Sequence, residues 1–308
     1  MAKLILLRGL PASGKSTKAL EIIKEHGGAV RVNKDLLREM LHFNKFTGRN
    51  EGITQDVEMT IAGALLSGKT NVIVDDTNLN PKVVDEWRSL ATSLNAKFEA
   101  VWIDTPYEEC IKRDVARGLE GKRFVGKEVI INMARQYKLY TFSKREIICD
   151  IDGTLADIKH RLHYVKGSKT CGEVHPELDV YHEGGLHEVK KNWPGFFSEI
   201  ANDTPRPEVL SEILALSKTH NIVLVSGRPE DYKKQTIDWL NKYEIPYETL
   251  IMRRKGDTRN DDIIKKEIFD KYFLKENVDL VIDDRPRVIA MWREQGLNVK
   301  DVGYDIDF

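Results

Sequence analysis

A lysine and a serine directly follow a glycine in residues 9–16, a segment that reads G-x-x-x-x-G-K-S. Glycines in this spacing let the backbone turn tightly, so that its N–H groups can surround phosphate oxygens. Lys15 would then reach the β- and γ-phosphates of a nucleoside triphosphate, and the Ser16 hydroxyl would bind Mg²⁺. The segment therefore predicts a site for ATP and Mg²⁺. Its predicted nucleotide-binding residues are Gly9, Ser13, Gly14, Lys15, Ser16 and Thr17.

Two carboxylates separated by one residue, Asp150 and Asp152, could carry out a different reaction on phosphate. They stand in a D-x-D-G-T segment after an apolar run, so both can face one phosphate where a strand ends. The first can attack phosphorus to form an aspartyl-phosphate, and the second can give and later take back a proton. Alone, this short pattern is also compatible with a calcium-loop fragment or a turn. The polar groups that follow favour a phosphatase.

Three later apolar runs also end in groups that phosphate transfer uses. The first is followed by Ser226, Gly227 and Arg228, whose donors can bind phosphate oxygens. The helix after the second carries Lys265 near its start, and the third ends in an acidic pair. Carboxylate oxygens are ligands that Mg²⁺ prefers. The predicted metal ligands of this half are Asp150, Asp152, Asp283 and Asp284.

Asp35 is the best candidate for a catalytic base in the first half, because it lies where a helix is predicted to begin after a short apolar run. Phosphoryl transfer to a hydroxyl needs a carboxylate that accepts the hydroxyl proton. A capping aspartate with no chemical role would give the same pattern. Asp76 and Asn78 follow another apolar run and suit support of Mg²⁺, Lys15 or the acceptor. For Asn78, a polar turn before the next helix is an equal alternative.

Arg113 and Arg117 lie four residues apart on one predicted helix, so both project from the same face. Such a pair could close over the phosphates of a bound nucleotide and neutralise charge in the transition state. For their basic neighbours, a solvated helix surface is the favoured interpretation. These neighbours are Lys112, Lys122 and Arg123.

Strands and helices that alternate along both halves must position these groups. The predicted fold class is α/β with two domains, each a mainly parallel sheet with flanking helices. A P-loop NTPase fold is expected at 1–143 and a haloacid-dehalogenase-like fold with an inserted cap at 144–308. Two apolar helix stripes are predicted, the second facing the core. They consist of Leu36, Leu37, Met40 and Leu41, and of Ile53, Val57, Ile61 and Leu65.

Composition restricts the classes of function. The sequence has 48 lysine and arginine residues against 49 aspartate and glutamate residues, so its formal net charge is −1 and any basic groove must be local. It shows neither an apolar run long enough to span a membrane nor a secretory leader. Its three scattered cysteines do not suggest a disulfide framework. We expect a soluble protein of the reducing cytoplasm, with its oligomeric state left open between monomer and homo-oligomer.

The order of these motifs resembles the bacteriophage polynucleotide kinases with 3′-phosphatase activity over nearly the whole chain. In the kinase half, the matching segments are 9–17, 33–38, 76–81, 112–113 and 117–118. The resemblance implies that Asp35 is the general base, that Arg38 contacts the acceptor strand and that Arg117 is a catalytic residue of a lid.

The second half is similar to the haloacid-dehalogenase phosphohydrolases and to the phosphatase half of the same phage family. This similarity implies that Asp150 is the nucleophile and Asp152 the acid/base. It also implies that Asp261 orients Lys265 and that Arg161, nine residues after Asp152, matches a substrate-binding arginine. The implied phosphate-binding residues are Ser226, Arg228 and Lys265, and Asp283 and Asp284 serve the metal.

The segment 157–207 is longer than its counterpart in the phage family and is expected to form a cap over the phosphatase cleft. Packing on the body of the domain is the favoured role of its aromatic residues, and base stacking is the alternative. These are Trp193, Phe196 and Phe197. A zinc site is a minor alternative for Cys171, His175, His182 and His187.

Together, the two motif sets predict a bifunctional enzyme that heals nucleic-acid ends. It would phosphorylate 5′-hydroxyl ends of RNA or DNA with ATP and remove 3′-phosphates, in cooperation with a ligase. One alternative is a kinase of a small molecule or nucleoside fused to a small-molecule phosphatase. The other, which is not an enzyme, is a nucleotide-gated module that binds nucleic acid.

Overall fold

A computed structural model describes residues 1–140, 144–165 and 191–303 of the chain. The chain divides into two compact units, Met1–Tyr140 and Thr141–Phe308. Among the described residues, every helix is too short or too polar to cross a membrane. The predicted α/β class is confirmed, because each unit contains a parallel sheet with helices around it.

The sheet of the first unit has parallel strands in the order β2-β3-β1-β4. They are β1 (Lys3–Arg8), β2 (Val30–Val32), β3 (Val72–Asp75) and β4 (Lys97–Trp102). Successive side chains of a strand point to opposite faces. Leu4 and Leu6 accordingly pack into one core cluster, and Ile5 and Leu7 into another. Both faces of this sheet are therefore buried, as is usual for parallel strands.

The helices of the first unit connect these strands and carry the candidate kinase residues. They are α1 (Lys15–His26), α2 (Lys34–His42), α3 (Gly48–Ser67), α4 (Pro81–Ser93), α5 (Tyr107–Leu119) and α6 (Lys127–Gln136). Helix α1 begins directly after Gly14, so its unpaired first N–H groups face the turn that links it to β1. The Asn33 side chain caps α2 by accepting a 3.2 Å hydrogen bond from the Leu36 amide.

Burial along α2 and α3 follows the predicted stripes only in part. In α2, Leu37 is buried, but Leu36 and Met40 are 56% and 65% exposed. In α3, the buried residues lie one position after the predicted stripe, so the predicted stripe is wrong by one residue. The buried residues of α3 are Thr54, Glu58, Ala62 and Leu66. A carboxylate therefore lies on the buried side of α3, and an apolar pattern cannot predict such a position.

The main sheet of the second unit has parallel strands in the order β11-β10-β5-β8-β9. They are β5 (Glu146–Cys149), β8 (Asn221–Pro229), β9 (Thr249–Arg253), β10 (Val278–Asp283) and β11 (Val299–Asp301). The first four were predicted, whereas the edge strand β11 was not. A separate antiparallel pair is formed by β6 (Ala156–Asp157) and β7 (Thr204–Pro205).

Helices cover both faces of this sheet. They are α7 (Trp193–Ser198), α8 (Pro207–Leu216), α9 (Lys233–Lys242), α10 (Asp261–Tyr272) and α11 (Pro286–Glu294). Neighbouring residues of β5 again separate, with Ile147 in one core cluster and Ile148 in the other. The sheet thereby holds the carboxyl ends of its strands at one edge, where α/β proteins usually bind ligands.

The described flanks of the 157–207 segment pack on the body of the second unit. Phe196 and Phe197 are 1% and 8% exposed and belong to the same core cluster as Ile147. The ring of Trp193 stacks on Phe197 at 5.9 Å between centroids. Packing is thus the observed role of these rings. The middle of the segment, with Cys171 and the three histidines considered for zinc, lies outside the described residues.

Candidate active sites

The turn between β1 and α1 has the conformation that its glycines permit. Gly9 has φ of +154°, and a side chain there would place a Cβ 2.8 Å from the Ile103 carbonyl oxygen and from Ser13 Oγ. Gly14 has φ of +104°, in the left-handed region that L side chains rarely adopt. Two of the motif's fixed positions therefore require glycine for local steric reasons.

Lys15 lies inside this turn and bonds to the turn itself. Its Nζ donates to the carbonyl oxygens of Gly9 at 3.1 Å and Leu10 at 2.6 Å. Burial lowers the pKa of Lys15 to about 8, an effect that the nearby Asp75 and Asp76 partly offset. The ammonium group is thus held by neutral carbonyl groups and has no carboxylate within hydrogen-bond distance among its described partners. Such a group gains most when phosphate oxygens replace the carbonyl oxygens.

The other predicted nucleotide-binding residues surround the turn. Ser13 is buried, and its carbonyl oxygen accepts hydrogen bonds from Thr105 Oγ1 at 2.8 Å and Arg113 Nη1 at 3.3 Å. Ser16 and Thr17 are exposed at the start of α1, and Ser16 Oγ lies 3.4 Å from Arg31 Nη2. Arg113 therefore lies beside the predicted phosphate site.

Arg117, the second lid arginine, is paired within its own helix. Its guanidinium bonds to the buried Asp114 carboxylate. Asp114 also accepts backbone hydrogen bonds from Val125 at 3.0 Å and Gly126 at 2.8 Å. Asp114 thus holds the segment after α5 against the helix, and Arg113 is the arginine that reaches the turn.

Asp35 lies between two arginines at the start of α2. Arg38 Nη1 is 2.6 Å from Asp35 Oδ1, and Arg123 contacts the other carboxylate oxygen. Arg38 is fixed from its other side by Glu51, with 2.8 Å between Nη2 and Oε2. Arg123 is exposed, as its interpretation as a solvated surface residue expects, and it contacts Asp35 in addition. The capping role is filled by Asn33, two residues before Asp35, so capping does not account for Asp35.

The carboxyl end of β3 brings several acids close to this start of α2. Asp76 Oδ1 accepts from the Lys34 amide at 3.1 Å, and Asn78 Nδ2 donates to the Leu7 carbonyl at 2.9 Å. Asn78 has φ of +44°, so it forms the tight turn that was its alternative role and also ties β3 to β1. The buried Glu58 lies against Asp76, and burial followed by the Asp76 charge raises the pKa of Glu58 to about 10.

Three carboxylates of the second unit converge on one point. Asp150, Asp283 and Asp284 are buried, and one oxygen from each lies within 4.8 Å of the others. Lys265 Nζ is 2.9 Å from Asp150 Oδ1 and 2.9 Å from Asp283 Oδ2. Thr154 Oγ1 donates to Asp284 Oδ1 at 2.8 Å. Three negative charges and one positive charge leave this cluster with an excess that a divalent cation would neutralise.

The ionisation of this cluster follows from burial and its charges. Burial raises the pKa of Asp150 well above its ordinary value, although Lys265 opposes that rise. Burial and the Asp283 charge raise the pKa of Asp284 to about 6. Burial would lower the pKa of Lys265, but Asp150 and Asp283 raise it further than burial lowers it. The lysine is therefore a permanent cation next to the predicted nucleophile.

Asp152 does not join this cluster with its carboxylate; it is bound by two buried arginines. Arg228 Nη2 lies 2.7 Å from Asp152 Oδ1, and Arg161 contacts the same oxygen. Burial would raise the pKa of Asp152, but the two guanidinium groups lower it well below its usual range. Both arginines were expected to bind substrate phosphate, whereas both are fully buried and bound to Asp152. Their observed role is to fix the predicted acid/base.

Asp203 completes this network and had no sequence signal. Its carboxylate is fully buried and lies 2.7 Å from Arg161 Nε and 2.9 Å from Arg228 Nη2. Its own carbonyl oxygen accepts from Trp239 Nε1 at 2.8 Å. Two carboxylates and two guanidinium groups thus form a closed ionic square around the predicted acid/base.

Gly227 and Asp261 occupy the adjoining wall of the site, where Ser226 Oγ accepts a 3.2 Å hydrogen bond from the Arg228 amide. A Cβ on Gly227 would lie 2.5 Å from Asp261 Oδ1, so only glycine fits there. Asp261 bonds to Arg253 and, at 2.6 Å, to Arg285 Nη1. Two arginines take the Asp261 carboxylate, and Lys265 bonds to Asp150 and Asp283. The charge of Asp261 contributes to the raised pKa of Lys265, and its role in orienting that lysine stays a prediction.

Each unit therefore has a parallel sheet with a cluster suited to phosphate chemistry at the carboxyl ends of its strands. The first is a P-loop nucleotide-binding domain, and the second is a phosphotransfer domain built on aspartates and a lysine.

Comparisons with known proteins agree with this division. Residues 4–140 match the family described as "AAA domain", and residues 182–308 match "Polynucleotide kinase PNKP phosphatase domain". The chain therefore joins a P-loop domain of the AAA family to a phosphatase domain of the polynucleotide kinase family. The resemblance stated from the sequence is confirmed at this level.

Relatives along most of the chain include a protein of Autographa californica nuclear polyhedrosis virus that is named a bifunctional polynucleotide kinase/RNA ligase. It is 29% identical over 320 residues, which cover 95% of this chain and 41% of that protein. The chain thus spans about two fifths of that relative. An adenylate kinase of Mesoplasma florum is 30% identical over 68% of this chain and 98% of its own length. A solved structure of a Pnkp1/Rnl/Hen1 RNA repair complex is 28% identical, with a TM-score of 0.42, over 99% of this chain and 97% of that one.

Proposed function

We propose that the chain heals nucleic-acid ends: residues 1–143 transfer the γ-phosphate of ATP to a 5′-hydroxyl, and residues 144–308 remove a 3′-phosphate, on RNA or DNA. The observation that carries this proposal is that each unit has its own phosphate-handling centre. Lys15 and Asp35 lie in the first unit, and the Asp150–Lys265 cluster lies in the second. The family matches to a P-loop domain and a polynucleotide kinase phosphatase domain support the same pairing.

In the kinase reaction, Asp35 accepts the proton of the attacking 5′-hydroxyl. The hydroxyl oxygen bonds to the γ-phosphorus while the bond to the β,γ-bridging oxygen breaks and ADP leaves. Lys15 exchanges its carbonyl partners for β- and γ-phosphate oxygens. Arg113, already beside the turn, neutralises charge as it develops, and Arg117 has the same role once it leaves Asp114.

The first unit also fits Mg²⁺ bound with the nucleotide. Ser16 Oγ is exposed at the start of α1, and Asp75 Oδ1 is buried without a hydrogen-bond partner among the described residues. A buried carboxylate oxygen left unpaired near a phosphate site is the kind of group that a metal-bound water satisfies. Mg²⁺ there would neutralise the phosphates. Asp76 fixes the start of α2 through the Lys34 amide, which supports the acceptor side rather than the metal.

In the phosphatase reaction, an Asp150 oxygen attacks phosphorus, and the bond to the 3′-oxygen breaks. Asp152 gives its proton to that leaving oxygen. Asp152 then takes a proton from the water that attacks the aspartyl-phosphate, which releases inorganic phosphate and restores Asp150. Because Arg161 and Arg228 favour the ionised form of Asp152, we expect the substrate phosphate to draw at least one of them away before the first step.

The acidic cluster fits Mg²⁺, since its oxygens lie within 4.8 Å of one another and carry excess negative charge. Asp150, Asp283 and Asp284 would hold the ion. It would offset the repulsion between an anionic nucleophile and an anionic substrate. Lys265 and Ser226 would bind phosphate oxygens of the substrate.

Labelled ATP and matched oligonucleotides test the proposal. RNA and DNA strands with 5′-hydroxyl and 3′-phosphate ends would be assayed for label at the 5′ end and for release of inorganic phosphate. We expect Asp35→Ala to abolish labelling and keep phosphate release, and Asp150→Ala to do the reverse. Loss of both activities in either single variant would contradict two separate centres.

The similarity to an adenylate kinase over 98% of that enzyme favours one competing function, a kinase of free nucleotides. The same assay distinguishes it if AMP is added as a competing acceptor. Preferential labelling of AMP would indicate that the acceptor is a free nucleotide and not the 5′ end of an oligonucleotide. Binding of labelled ATP with neither transfer nor phosphate release would instead indicate a nucleotide-gated binding module.

We further propose that the enzyme works in the cytoplasm and passes healed ends to a nucleic-acid ligase. A 5′-phosphate and a 3′-hydroxyl are the ends that a ligase joins, and both proposed reactions lead to them. The names of two relatives include RNA ligase or RNA repair. Coupled sealing of a healed break by an added ligase would support this order, and failure to seal would contradict it.

A further inference from the structure

Large apolar side chains are exposed at the end of the helix that begins with Asp35 in its first turn. At the end of α2, Met40 is 65% exposed and Phe43 92%, and Phe46 in the following loop is 72% exposed. Exposed apolar residues are ordinary when scattered, but a contiguous group marks a binding surface more often than chance. Of these side chains, Phe46 contacts Arg38, the residue expected to bind the acceptor strand.

Phe46 is linked to Asp35 through one guanidinium group. The Arg38 Cζ atom lies 5.5 Å from the centre of the Phe46 ring, and Arg38 Nη1 lies 2.6 Å from Asp35 Oδ1. Glu51 binds the guanidinium from a third direction, with 2.8 Å between Oε2 and Nη2. The ring is therefore separated from the proposed base by the width of one guanidinium, and the guanidinium is fixed by two carboxylates.

An aromatic ring in this setting fits a nucleobase better than an apolar protein surface. Bases stack on exposed aromatic rings, and guanidinium groups bind the phosphate beside them. The surroundings carry positive charge: Lys45 is the preceding residue, Arg49 follows in α3, and Arg123 contacts the far oxygen of Asp35. A phosphodiester complements these cations, whereas an apolar protein helix offers them no counter-charge.

We propose that Phe46 is the stacking platform for the base of the acceptor's 5′-terminal nucleotide. The 5′-hydroxyl then lies at Asp35, the following phosphate lies at Arg38, and the base covers the open part of the Phe46 ring. The occupant is the 5′ end of a single strand, because a base paired in a duplex offers less of its face. This inference rests on the proposed kinase function and adds the group that recognises the terminal nucleoside.

A missing base tests the platform directly. Two six-nucleotide strands with a 5′-hydroxyl would be compared at saturating ATP, one with a normal 5′-terminal nucleotide and one with an abasic residue there. Stacking on an aromatic side chain contributes enough that we expect roughly 10-fold higher kcat/KM for the normal strand. In Phe46→Ala the two strands should become equal, and in Phe46→Tyr the preference should return. The KM for ATP should not change in either variant.

Met40→Ala is the matched control, since it removes an exposed apolar side chain of the same region that has no ring. It should keep the wild-type preference for the normal strand. Equal use of both strands by the wild type overturns the platform but leaves the proposed kinase function intact. So does Phe46→Ala with unchanged preference, which would assign the exposed ring to a protein partner. An equal loss on both strands in Phe46→Ala would show a structural role instead. If the wild type labels neither strand, the proposed kinase function fails and the platform with it.

Discussion

The two buried candidate lysines of the molecule, Lys15 and Lys265, are partnered in opposite ways. Lys15 bonds to backbone carbonyl groups of its own turn, with no carboxylate among its described hydrogen-bond partners. Lys265 bonds to two carboxylates that come from two different strand ends. The first lysine is a cation that awaits an anion, and the second is already neutralised. The difference indicates that Lys15 depends on a bound substrate for its counter-charge, whereas Lys265 has its counter-charges within the fold.

Removal of the two lysines should expose this difference most strongly. We expect Lys265→Met to abolish phosphatase activity, by about 1,000-fold or more, and to lower the free energy of unfolding by about 3–5 kcal/mol, because it leaves buried carboxylates unpaired. Lys15→Met should abolish kinase activity to a similar degree. Lys15→Met should lower the free energy of unfolding by no more than about 1 kcal/mol, because the substitution removes the cost of burying the ammonium group together with its hydrogen bonds.

The measurement is urea unfolding of the full chain without added metal, with both activities assayed in each variant. Each variant is the control for the other, since its remaining activity reports that the opposite unit is folded. Equal destabilisation by the two substitutions would refute the contrast between a lysine that is paired within the fold and a lysine that is paired by its substrate.

Asp203→Asn tests whether the buried ion pairs around Asp152, which lie outside the predicted metal cluster, contribute to phosphatase activity. This change keeps the shape of Asp203 but removes the charge that neutralises Arg161 and Arg228. We expect phosphatase activity to fall about 100-fold, because both guanidinium groups would then bind Asp152 more tightly and oppose its protonation. Kinase activity should stay unchanged.

Asp238→Asn is a suitable control, because Asp238 forms an exposed i,i+4 pair with Lys234 in α9. Such an exposed pair contributes little to stability. Phosphatase activity within twofold of wild type in Asp203→Asn would show that the ionic square has no part in catalysis.

The same contrast explains how far the sequence could predict the sites. Residues 9–16 form a site from one continuous segment, so the motif alone located Lys15 and its glycines. The phosphatase centre is assembled from strand ends, and its motif residues were found because each directly follows an apolar run. Asp203 was missed because it lies 42 residues after its partner Arg161, in a segment with no motif. Arg161 and Arg228 were found, but their pairing with Asp152 was not predictable, since an arginine near a phosphate site binds a carboxylate or a phosphate equally well.

In the first unit, what the sequence missed is the acid in the core. Glu58 occupies a position of α3 that a hydrophobic pattern assigns to the exposed side, because the apolar residues lie one position earlier. The contact between Arg123 and Asp35 was missed for a related reason, since a run of charged residues does not indicate which of them binds Asp35. Local backbone geometry was therefore predictable, whereas pairing between distant charges was not.

Glu58→Gln tests the cost of that buried acid. The pKa of Glu58 is about 10 in the folded chain against an ordinary value of 4.5, so only the folded state holds the proton between these pH values. Stability should therefore fall as the pH rises from about 4.5 towards 10. Glutamine removes this dependence because it does not ionise. We expect the free energy of unfolding at pH 8 to rise by on the order of 2 kcal/mol.

Urea unfolding at pH 6, 7 and 8 measures this effect, with Glu39→Gln as a control at an exposed position of α2. The gain from Glu58→Gln should increase with pH, and the control should show no such trend. A gain that is absent or constant over this range would mean that Glu58 is ionised in the folded chain.

The smallest expected effect concerns Lys15 and sharpens the comparison with Lys265. Because burial lowers the pKa of Lys15 to about 8 in the free protein, part of the population is neutral above that pH. The phosphates of ATP favour the charged form, so binding must take up a proton there, and the affinity for ATP should fall about 10-fold for each pH unit above 8. Binding measured without acceptor from pH 7.5 to 9.5 checks this, with Lys15→Arg as the control because arginine stays charged throughout. If affinity does not change over this range, Lys15 stays charged in the free protein without a carboxylate partner, and the contrast with Lys265 is lost.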